Sequence, residues 1–428
     1  MTLREERENR GLINQFSDEK LFDLYNKGWE KFYIWFDPSA DSLQIWNMFA
    51  VMAAIHLMKY GNKCYFLVWG ATGMIWDPSG RSDERNFLTE EKLRHNEQCI
   101  YNQLKTFLEN IKKNYDIDFD YEMVDNYDFF KWMEYLNFLR EVGKYITVNY
   151  MIAKESIKKR ITDPEQSITY AEMSYMLIQW FDFFTLFSKH GVKLQLWWSD
   201  QRWNVTTGME LIWKKLWEEA YCMTIPIITD ASGAKYGKSA GNAVWVDKAK
   251  NSPYFVYQFF MNAEDSLIWK LLKVFSLKSV EEIDVIVAKH TENPALRYGQ
   301  KELARWVVEV LFGKDAVMQA EKISDILFGE WDRMKLIAWF DKDDIDALHA
   351  ETGGIELKWS EMKVLDMFTE VGLTSSNGDA KKLIQSGWLF INEAKVDNPQ
   401  MIVSKDNFVN GVLLLRKGKK QFKVVKIA

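Results

Sequence analysis

Residues 31–81 read KFYIWFDPSADSLQIWNMFAVMAAIHLMKYGNKCYFLVWGATGMIWDPSGR, and this stretch decides the fold class. It begins with a run of β-branched and aromatic residues that stops at Asp37, in an Asp-Pro pair typical of a turn. Apolar residues then recur at spacings of three and four over 44–60, which predicts a helix. A second apolar run over 65–69 predicts another strand. The order strand, turn, helix, strand predicts a parallel βαβ unit whose ligands lie at the carboxyl ends of the strands.

Composition limits the class of protein. A chain of 428 residues is long enough for two or three domains. Its formal net charge of -6 means that any site for a polyanion must be local. The three cysteines, Cys64, Cys99 and Cys222, are far apart, which indicates a reduced protein without structural zinc. No secretory signal is visible, and the longest apolar run, 45–58, is too short to cross a bilayer, so we expect a cytoplasmic protein with no membrane partner.

Three loops carry a family resemblance. FDPSADSLQIWN, 36–47, resembles the first signature of class I aminoacyl-tRNA synthetases, and GATGMIWDPSG, 70–80, is similar to the companion loop of the bacterial tyrosyl enzymes. KYGKS, 235–239, resembles the second class I signature in its tyrosyl form. The resemblance covers nearly the whole chain. It implies an α/β fold with a Rossmann-like parallel-sheet catalytic domain, a helical domain and a small α+β C-terminal RNA-binding domain.

The resemblance also implies domain limits. We expect the catalytic domain over 1–240, with a dimerisation insertion near 127–160 that presents large apolar residues. From the residues alone, an internal core explains this insertion equally well. The helical domain is expected over 241–350 and the RNA-binding domain over 360–428. The last twenty residues carry six basic side chains and no acidic one, which suits a phosphate backbone but also a solvated edge strand.

Amino-acid activation joins a carboxylate to the α-phosphorus of ATP and expels pyrophosphate, so positioning and charge stabilisation must do most of the catalysis. The resemblance implies five catalytic residues: Gln44, Asn47, Lys235, Lys238 and Ser239. Gln44 and Asn47 stand where the family usually has two histidines; their amides can donate to phosphate oxygens but are always neutral. Without the resemblance, they would be an ordinary polar helix start. The two lysines can close on the pyrophosphate as charge develops.

The resemblance implies that six residues bind ATP: Asp37, Ser39, Gln44, Asn47, Asp200 and Lys238. From the residues alone, Asp37 and Ser39 could serve turn formation and helix entry, and Asp200 could belong to a polar loop. ATP is then a substrate accompanied by Mg²⁺, and no structural metal is expected.

Six residues are implied to bind tyrosine: Tyr33, Asp77, Tyr175, Gln179, Asp182 and Gln201. Tyr175, Gln179 and Asp182 are spaced four and three apart, so they share one helix face. A hydroxyl, an amide and a carboxylate amid apolar residues are not typical of a simple core. By resemblance, Asp182 and Tyr33 bind the phenol hydroxyl of the substrate, while Tyr175, Gln179 and Asp77 hold its ammonium end.

The implied function is ligation of tyrosine to tRNA(Tyr) by a homodimer, with RNA contacts from Lys381, Lys382, Arg416 and Lys417. Two alternatives stay open. A tryptophanyl-type synthetase should not need the hydroxyl-reading pair Tyr33 and Asp182. An RNA-binding pseudo-synthetase would bind structured RNA through 360–428 and form no adenylate.

Tryptophan is unusually frequent, with 19 residues against 22 glycines. Nine tryptophans stand where the family mostly has glycine: Trp35, Trp46, Trp69, Trp76, Trp180, Trp197, Trp198, Trp203 and Trp388. Core packing or stacking on bases is the plain alternative. Because glycine in the family lets the backbone approach its ligands, we predict that the organism reads as glycine a codon rendered here as tryptophan, for example a reassigned UGA stop. The exchange would raise glycine to 31 of 428 residues, near the roughly 7% of ordinary proteins.

Overall fold

The computed structural model describes residues 1–75, 88–153, 155–163, 167–199, 202–230, 233–237, 243–329, 331–357, 361–419 and 421–427. The chain divides into two compact units. The first contains Met1–Ser252 and Phe260–Leu311, and the second contains Pro253–Phe259 and Phe312–Ala428.

One sheet forms the centre of the first unit. Its strands are β1 (Gln15–Phe16), β2 (Lys31–Phe36), β3 (Lys63–Val68), β4 (Tyr121–Asp125), β5 (Leu194–Trp198) and β6 (Tyr221–Ile225). They lie in the order β1-β6-β5-β2-β3-β4. Strands β2 to β6 are parallel, and β1 pairs antiparallel with β6 at the edge. The two-residue strand β1 was not predicted, because its stretch is too short to show an apolar pattern.

Helices connect these strands and continue beyond them. In the described residues up to 312, they are α1 (Leu3–Asn9), α2 (Lys20–Asn26), α3 (Ile45–Met58), α4 (Glu90–Tyr115), α5 (Tyr127–Phe130), α6 (Tyr135–Glu141), α7 (Val148–Ile152), α8 (Glu155–Thr162), α9 (Tyr170–His190), α10 (Arg202–Leu216), α11 (Pro253–Met261), α12 (Asp265–Phe275), α13 (Val280–Glu292) and α14 (Tyr298–Phe312). No described helix is long and apolar enough to cross a membrane.

The predicted βαβ unit is confirmed. Strand β2, helix α3 and strand β3 follow one another, and β2 pairs with β3 in parallel register from Lys31 to Phe36. Every residue of α3 from Met48 to Met58 is buried, because the helix is apolar on all sides and is covered on all sides. The unit therefore fixes both the start of α3 and the carboxyl ends of the two strands at one edge of the sheet.

The second unit is built on a mixed sheet with helices on both faces, which confirms the expected α+β class of the C-terminal part. Its strands lie in the order β10 (Ala394–Lys395), β9 (Leu389–Ile391), β12 (Val412–Lys417), β13 (Gln421–Ile427) and β7 (Ile355–Leu357). A two-stranded ribbon pairs β8 (Met362–Lys363) with β11 (Ile402–Val403). The helices are α15 (Lys314–Phe328), α16 (Arg333–Ile337), α17 (Lys342–Thr352), α18 (Val364–Glu370) and α19 (Asn377–Gln385).

Alternate residues of β12 enter two different cores in this unit. Leu413 and Leu415 pack with α18 and α19, while Val412 and Leu414 pack with α15 to α17. Because side chains of a strand point to opposite faces in turn, one strand supplies both layers.

Candidate active site

A group of buried polar side chains lies between the central strands of the first unit and helix α9. Tyr33 of β2 is directly opposite Gln195 of β5 in the parallel ladder, so the two side chains are on the same face of the sheet. Helix α9 carries Tyr175, Gln179 and Asp182, all of which are buried. The predicted shared face of the helix therefore points to the interior, where polar side chains need partners.

Asp182 is the centre of this group. It is fully buried, and its Oδ2 atom accepts a hydrogen bond of 3.1 Å from Nδ2 of Asn126. The same amide donates to Oγ1 of Thr72 at 2.6 Å, and its Oδ1 accepts from the backbone N–H of Ala71 at 2.7 Å. Asn126 thus joins the loop after β3 to helix α9 and holds the carboxyl group in one orientation.

The electrostatics of this group favour a ligand with a hydroxyl. Burial raises the pKa of Asp182 well above the usual range of a carboxyl group, and the hydrogen bond from Asn126 acts in the opposite direction. Burial raises the pKa of Tyr33 well above its usual value too, and the charge of Asp182 adds to the rise. Within the described residues, the Tyr33 hydroxyl and Oδ1 of Asp182 have no hydrogen-bond partner of good geometry, although the Trp69 indole is close enough to Asp182 to lower its pKa. A ligand hydroxyl that reached both atoms would satisfy them.

Tyr175 and Gln179, which are four residues apart on α9, form a second pair. The hydroxyl of Tyr175 donates to Oε1 of Gln179 at 2.9 Å, which leaves the Gln179 amide nitrogen buried and without a partner in the described part of the chain. The Gln195 side-chain oxygen is in the same situation. Buried orphan donors and acceptors in one region are typical of a site built to hold a polar ligand.

Asn126, Thr72 and Gln195 were not predicted as site residues. Asn126 directly follows β4, at the carboxyl end of a strand, which is the signal that could have identified it. An amide within an apolar strand was the corresponding signal for Gln195.

The expected nucleotide edge lies at the start of α3. Gln44 is the residue before the first turn, and its backbone N–H donates to Oδ1 of Asn47 at 2.9 Å. Oε1 of Gln44 accepts from the Trp46 indole at 3.0 Å. Both amides use their oxygen atoms as acceptors, so their NH₂ groups are the atoms that can donate to a phosphate. In the turn after β2, Asp37 is half-buried and Ser39 is exposed.

The structure describes residues 235–237 of the second signature. Lys235 forms an isolated bridge with Thr229, and its ammonium group lies 5.2 Å from the ring centroid of Trp46. Gly237 has a φ of 76°, and a β-carbon there would lie 3.3 Å from Ile45 at the start of α3. The loop therefore approaches the same helix start that carries Gln44 and Asn47.

Indoles fill the space at the carboxyl ends of β2, β3 and β5. Trp35 stacks on Trp69 with ring centroids 5.4 Å apart and on Trp197 at 4.4 Å. Trp198 lies 5.9 Å from Trp46. All except Trp46 are buried. These rings occupy the place where a parallel α/β sheet ordinarily binds its ligand.

Several expected residues are outside the described part of the chain. They are Asp77, Asp200, Gln201, Lys238 and Ser239, together with Trp76 and the side chain of Trp203. Among the residues that are described, no cluster of three or more His, Cys, Asp or Glu side chains could hold a metal ion.

The four expected RNA-binding residues fall into two environments. Lys381 and Lys382 are exposed on α19. Arg416 pairs with Glu393 at 3.1 Å and lies 3.8 Å from the centroid of the Phe390 ring. Lys417 donates to the carbonyl of Leu373 at 3.0 Å. The two lysines of the helix are therefore directed to solvent, while the two residues of the strand are held by neighbours.

Comparisons with known proteins place the chain in a family. The profile of tRNA synthetases class I (W and Y) matches residues 27–329, and that of the tyrosine–tRNA ligase SYY-like C-terminal domain matches 344–425. The tyrosine–tRNA ligase of Cytophaga hutchinsonii is 40% identical over 403 residues, covering 91% of each chain. That of Streptococcus mutans is 38% identical, covering 99% of this chain and 100% of the other.

A solved structure agrees with these relatives. The C-terminally truncated mitochondrial tyrosyl-tRNA synthetase of Coccidioides posadasii matches with a TM-score of 0.67 and 27% identity, covering 75% of this chain and 91% of that chain. Both family profiles, the near-complete coverage of bacterial relatives and this fold match lead to one assignment. The chain belongs to the tyrosine–tRNA ligases, within the class I aminoacyl-tRNA synthetases.

Proposed function

We propose that the chain activates L-tyrosine with Mg-ATP and transfers it to tRNA(Tyr) in the cytoplasm. The observation that supports this most directly is the buried pair of unpartnered atoms, the Tyr33 hydroxyl and Oδ1 of Asp182, beside the fixed amide of Asn126. A phenol hydroxyl can both donate and accept and so can satisfy both, whereas a phenyl ring satisfies neither and an indole, which has one donor and no acceptor, satisfies only one. An unpaired buried polar group costs more than a missing methylene, so such a site selects tyrosine.

In the first step, a carboxylate oxygen of tyrosine forms a bond to the α-phosphorus of ATP, and the bond to pyrophosphate breaks. In the second, a ribose hydroxyl of the tRNA attacks the carbonyl carbon, its proton passes to a phosphate oxygen of the adenylate, and the bond to AMP breaks. The amide groups of Gln44 and Asn47 would donate to phosphate oxygens at the positive end of α3. Lys235, joined by Lys238, would balance the charge that develops on pyrophosphate. Neither step needs a general acid on the chain.

Homodimer formation is part of the proposal. The insertion near 127–160 exposes large apolar side chains, including Tyr135 at 59% and Leu136 at 75%. An exposed apolar patch of this kind suits a second copy of the chain. Sedimentation equilibrium of the Leu136→Asp variant should show a monomer where the parent chain shows a dimer. A monomeric parent would contradict this part of the proposal.

A second function is favoured by one observation, the indoles at the strand ends. Suppose that the organism's own protein carries Trp35, Trp69, Trp197 and Trp198. The crevice at the carboxyl ends of β2, β3 and β5 then has no room for substrate, and the chain is an RNA-binding pseudo-synthetase.

One assay separates the two functions. We would measure tyrosine-dependent ATP–pyrophosphate exchange on the chain as written and on a variant with the nine tryptophans replaced by glycine. Exchange in the glycine variant supports the ligase. If both proteins are folded by circular dichroism and neither exchanges, the ligase proposal fails, and binding of tRNA through the C-terminal part should then be measured.

A further inference from the structure

Two tryptophans have a backbone conformation that tryptophan seldom adopts. In the described part of the chain, seven residues other than glycine have a positive φ, and among them are Trp29 at 68° and Trp217 at 59°. In this left-handed region the β-carbon of an L-residue crowds the following carbonyl oxygen. Asparagine and aspartate tolerate it through local hydrogen bonds, but a bulky aromatic residue has no such compensation.

Trp217 stands at the end of helix α10. Its N–H donates to the carbonyl of Trp213 at 3.0 Å and so closes the last turn. Helices α9 and α17 end in the same way at Gly191, with a φ of 71°, and at Gly353, with a φ of 60°. A left-handed residue after the last helical turn is ordinarily glycine. The indole of Trp217 makes an edge contact with the half-exposed Trp213, at 5.5 Å between ring centroids, but it is still 74% exposed, so packing repays little of the strained backbone.

Trp29 is in a similar position before strand β2. It follows Gly28, whose φ is 80°, and its N–H donates to the carbonyl of Gly61 at 2.9 Å. Its side chain is 91% exposed. The turn needs two successive left-handed residues, and the bulky side chain of the second contributes little contact.

Other tryptophans of the chain have the contacts that an indole needs. Trp306 is buried, with its ring centroid 4.3 Å from that of Tyr115. Trp269, in the middle of α12, donates to Oδ1 of Asp284 at 3.2 Å, and Lys273 lies 3.7 Å from its ring centroid. Neither residue has a positive φ. Backbone conformation and side-chain contacts therefore separate Trp29 and Trp217 from Trp269 and Trp306.

We infer that the organism's own protein carries glycine at positions 29 and 217, and tryptophan at 269 and 306. The inference uses backbone angles at two surface turns, away from the candidate active site, and it does not rest on the proposed function. It extends the predicted codon reassignment to positions that family resemblance did not identify.

Peptide mass mapping of the protein purified from its natural source tests this directly. Trypsin should release peptide 216–235, and its mass should correspond to glycine at position 217. Peptide 306–314 is the matched control and should contain tryptophan. Tryptophan at position 217 in the natural protein would overturn the inference, and so would glycine at position 306.

Thermal unfolding of the recombinant chain provides a second test. Trp217→Ala removes the indole but keeps a β-carbon in the left-handed region, whereas Trp217→Gly removes both. We expect the glycine variant to unfold about 2 °C above the alanine variant, because only glycine relieves the backbone. Trp269→Gly should lower the midpoint, because it introduces glycine within a helix and removes two contacts. If Trp217→Gly is no more stable than Trp217→Ala, the backbone argument is wrong.

Discussion

The crevice at the carboxyl ends of β2, β3 and β5 and the C-terminal module, residues 360–428, each carry a tryptophan at a position where the family mostly has glycine. The two tryptophans have opposite surroundings. In the crevice, Trp197 is buried and stacks on Trp35 at 4.4 Å. In the module, Trp388 is 53% exposed, in the turn before β9. The same side chain should therefore block ligand binding in one region and leave the other region working. We therefore expect the effect of an indole to depend on whether a substrate needs the volume that it fills.

The largest expected effect concerns the buried indoles. Replacing Trp35, Trp69, Trp197 and Trp198 by glycine in the chain as written should increase tyrosine-dependent ATP–pyrophosphate exchange by about 10³-fold or more, because it restores room for a positioned substrate. Trp388→Gly is the matched control and should leave the exchange rate unchanged. Equal exchange rates in the two variants would show that an indole has the same effect in both regions.

The second effect concerns Lys235, whose ammonium group lies over Trp46 in the crevice. In the variant with nine glycines, Lys235→Ala should lower the exchange rate by about 10²-fold, because one charge that stabilises the transition state is lost. Lys382→Ala removes a charge from the module and should not change exchange. A fall in the affinity for ATP with no change in kcat would show that Lys235 acts in binding only.

The third effect concerns tyrosine selection. Asp182→Asn in the nine-glycine variant should lower kcat/KM for tyrosine by about 10- to 100-fold, because the carboxyl group that pairs with the phenol hydroxyl is replaced by an amide. Exchange assays with tyrosine and phenylalanine measure this. An unchanged preference for tyrosine over phenylalanine would exclude Asp182 as the hydroxyl acceptor.

The same substitution should also raise the free energy of unfolding, by an amount that depends on pH. Because the pKa of Asp182 is raised in the folded chain, the folded state binds its proton more tightly than the unfolded state does, so this group lowers stability as the pH rises above about 4. The Asp182→Asn variant has no carboxyl group at this position, so it lacks this pH-dependent loss of stability. Urea unfolding should find the variant more stable than its parent at pH 7, with the difference becoming smaller as the pH falls toward 4. A difference that grows on acidification would contradict the pKa direction.

The smallest effect belongs to the module. Replacing Lys381 and Lys382 by glutamine should weaken tRNA binding by about 3- to 10-fold at low salt and reduce the salt dependence by about one phosphate contact per lysine. Filter binding across a salt series measures both. Arg416→Gln should instead lower the stability of the module, because Arg416 pairs with Glu393 and packs on Phe390. A large loss of RNA affinity from a fully folded Arg416→Gln would assign Arg416 to the RNA surface.

Local pattern was sufficient for much of the fold. The βαβ unit followed from apolar spacing, and the shared face of Tyr175, Gln179 and Asp182 followed from helical geometry. The edge strand β1 could not be predicted, because two residues carry no periodicity and pair only through contacts with β6.

The sequence predicted only part of the candidate site. Sequence alone predicted the residue types that suit adenylate chemistry and determined the βαβ unit that carries the first signature, because signatures and periodicity are local properties. Only the tertiary structure showed that Asn126 holds Asp182, that Gln195 lies opposite Tyr33, and that Trp35, Trp69 and Trp197 share one buried stack. These relations join residues far apart in the chain, and the parallel sheet brings them together at one edge. Left-handed backbone at Trp29 and Trp217 was hidden for the same reason, since φ is set by the path of the chain between packed elements.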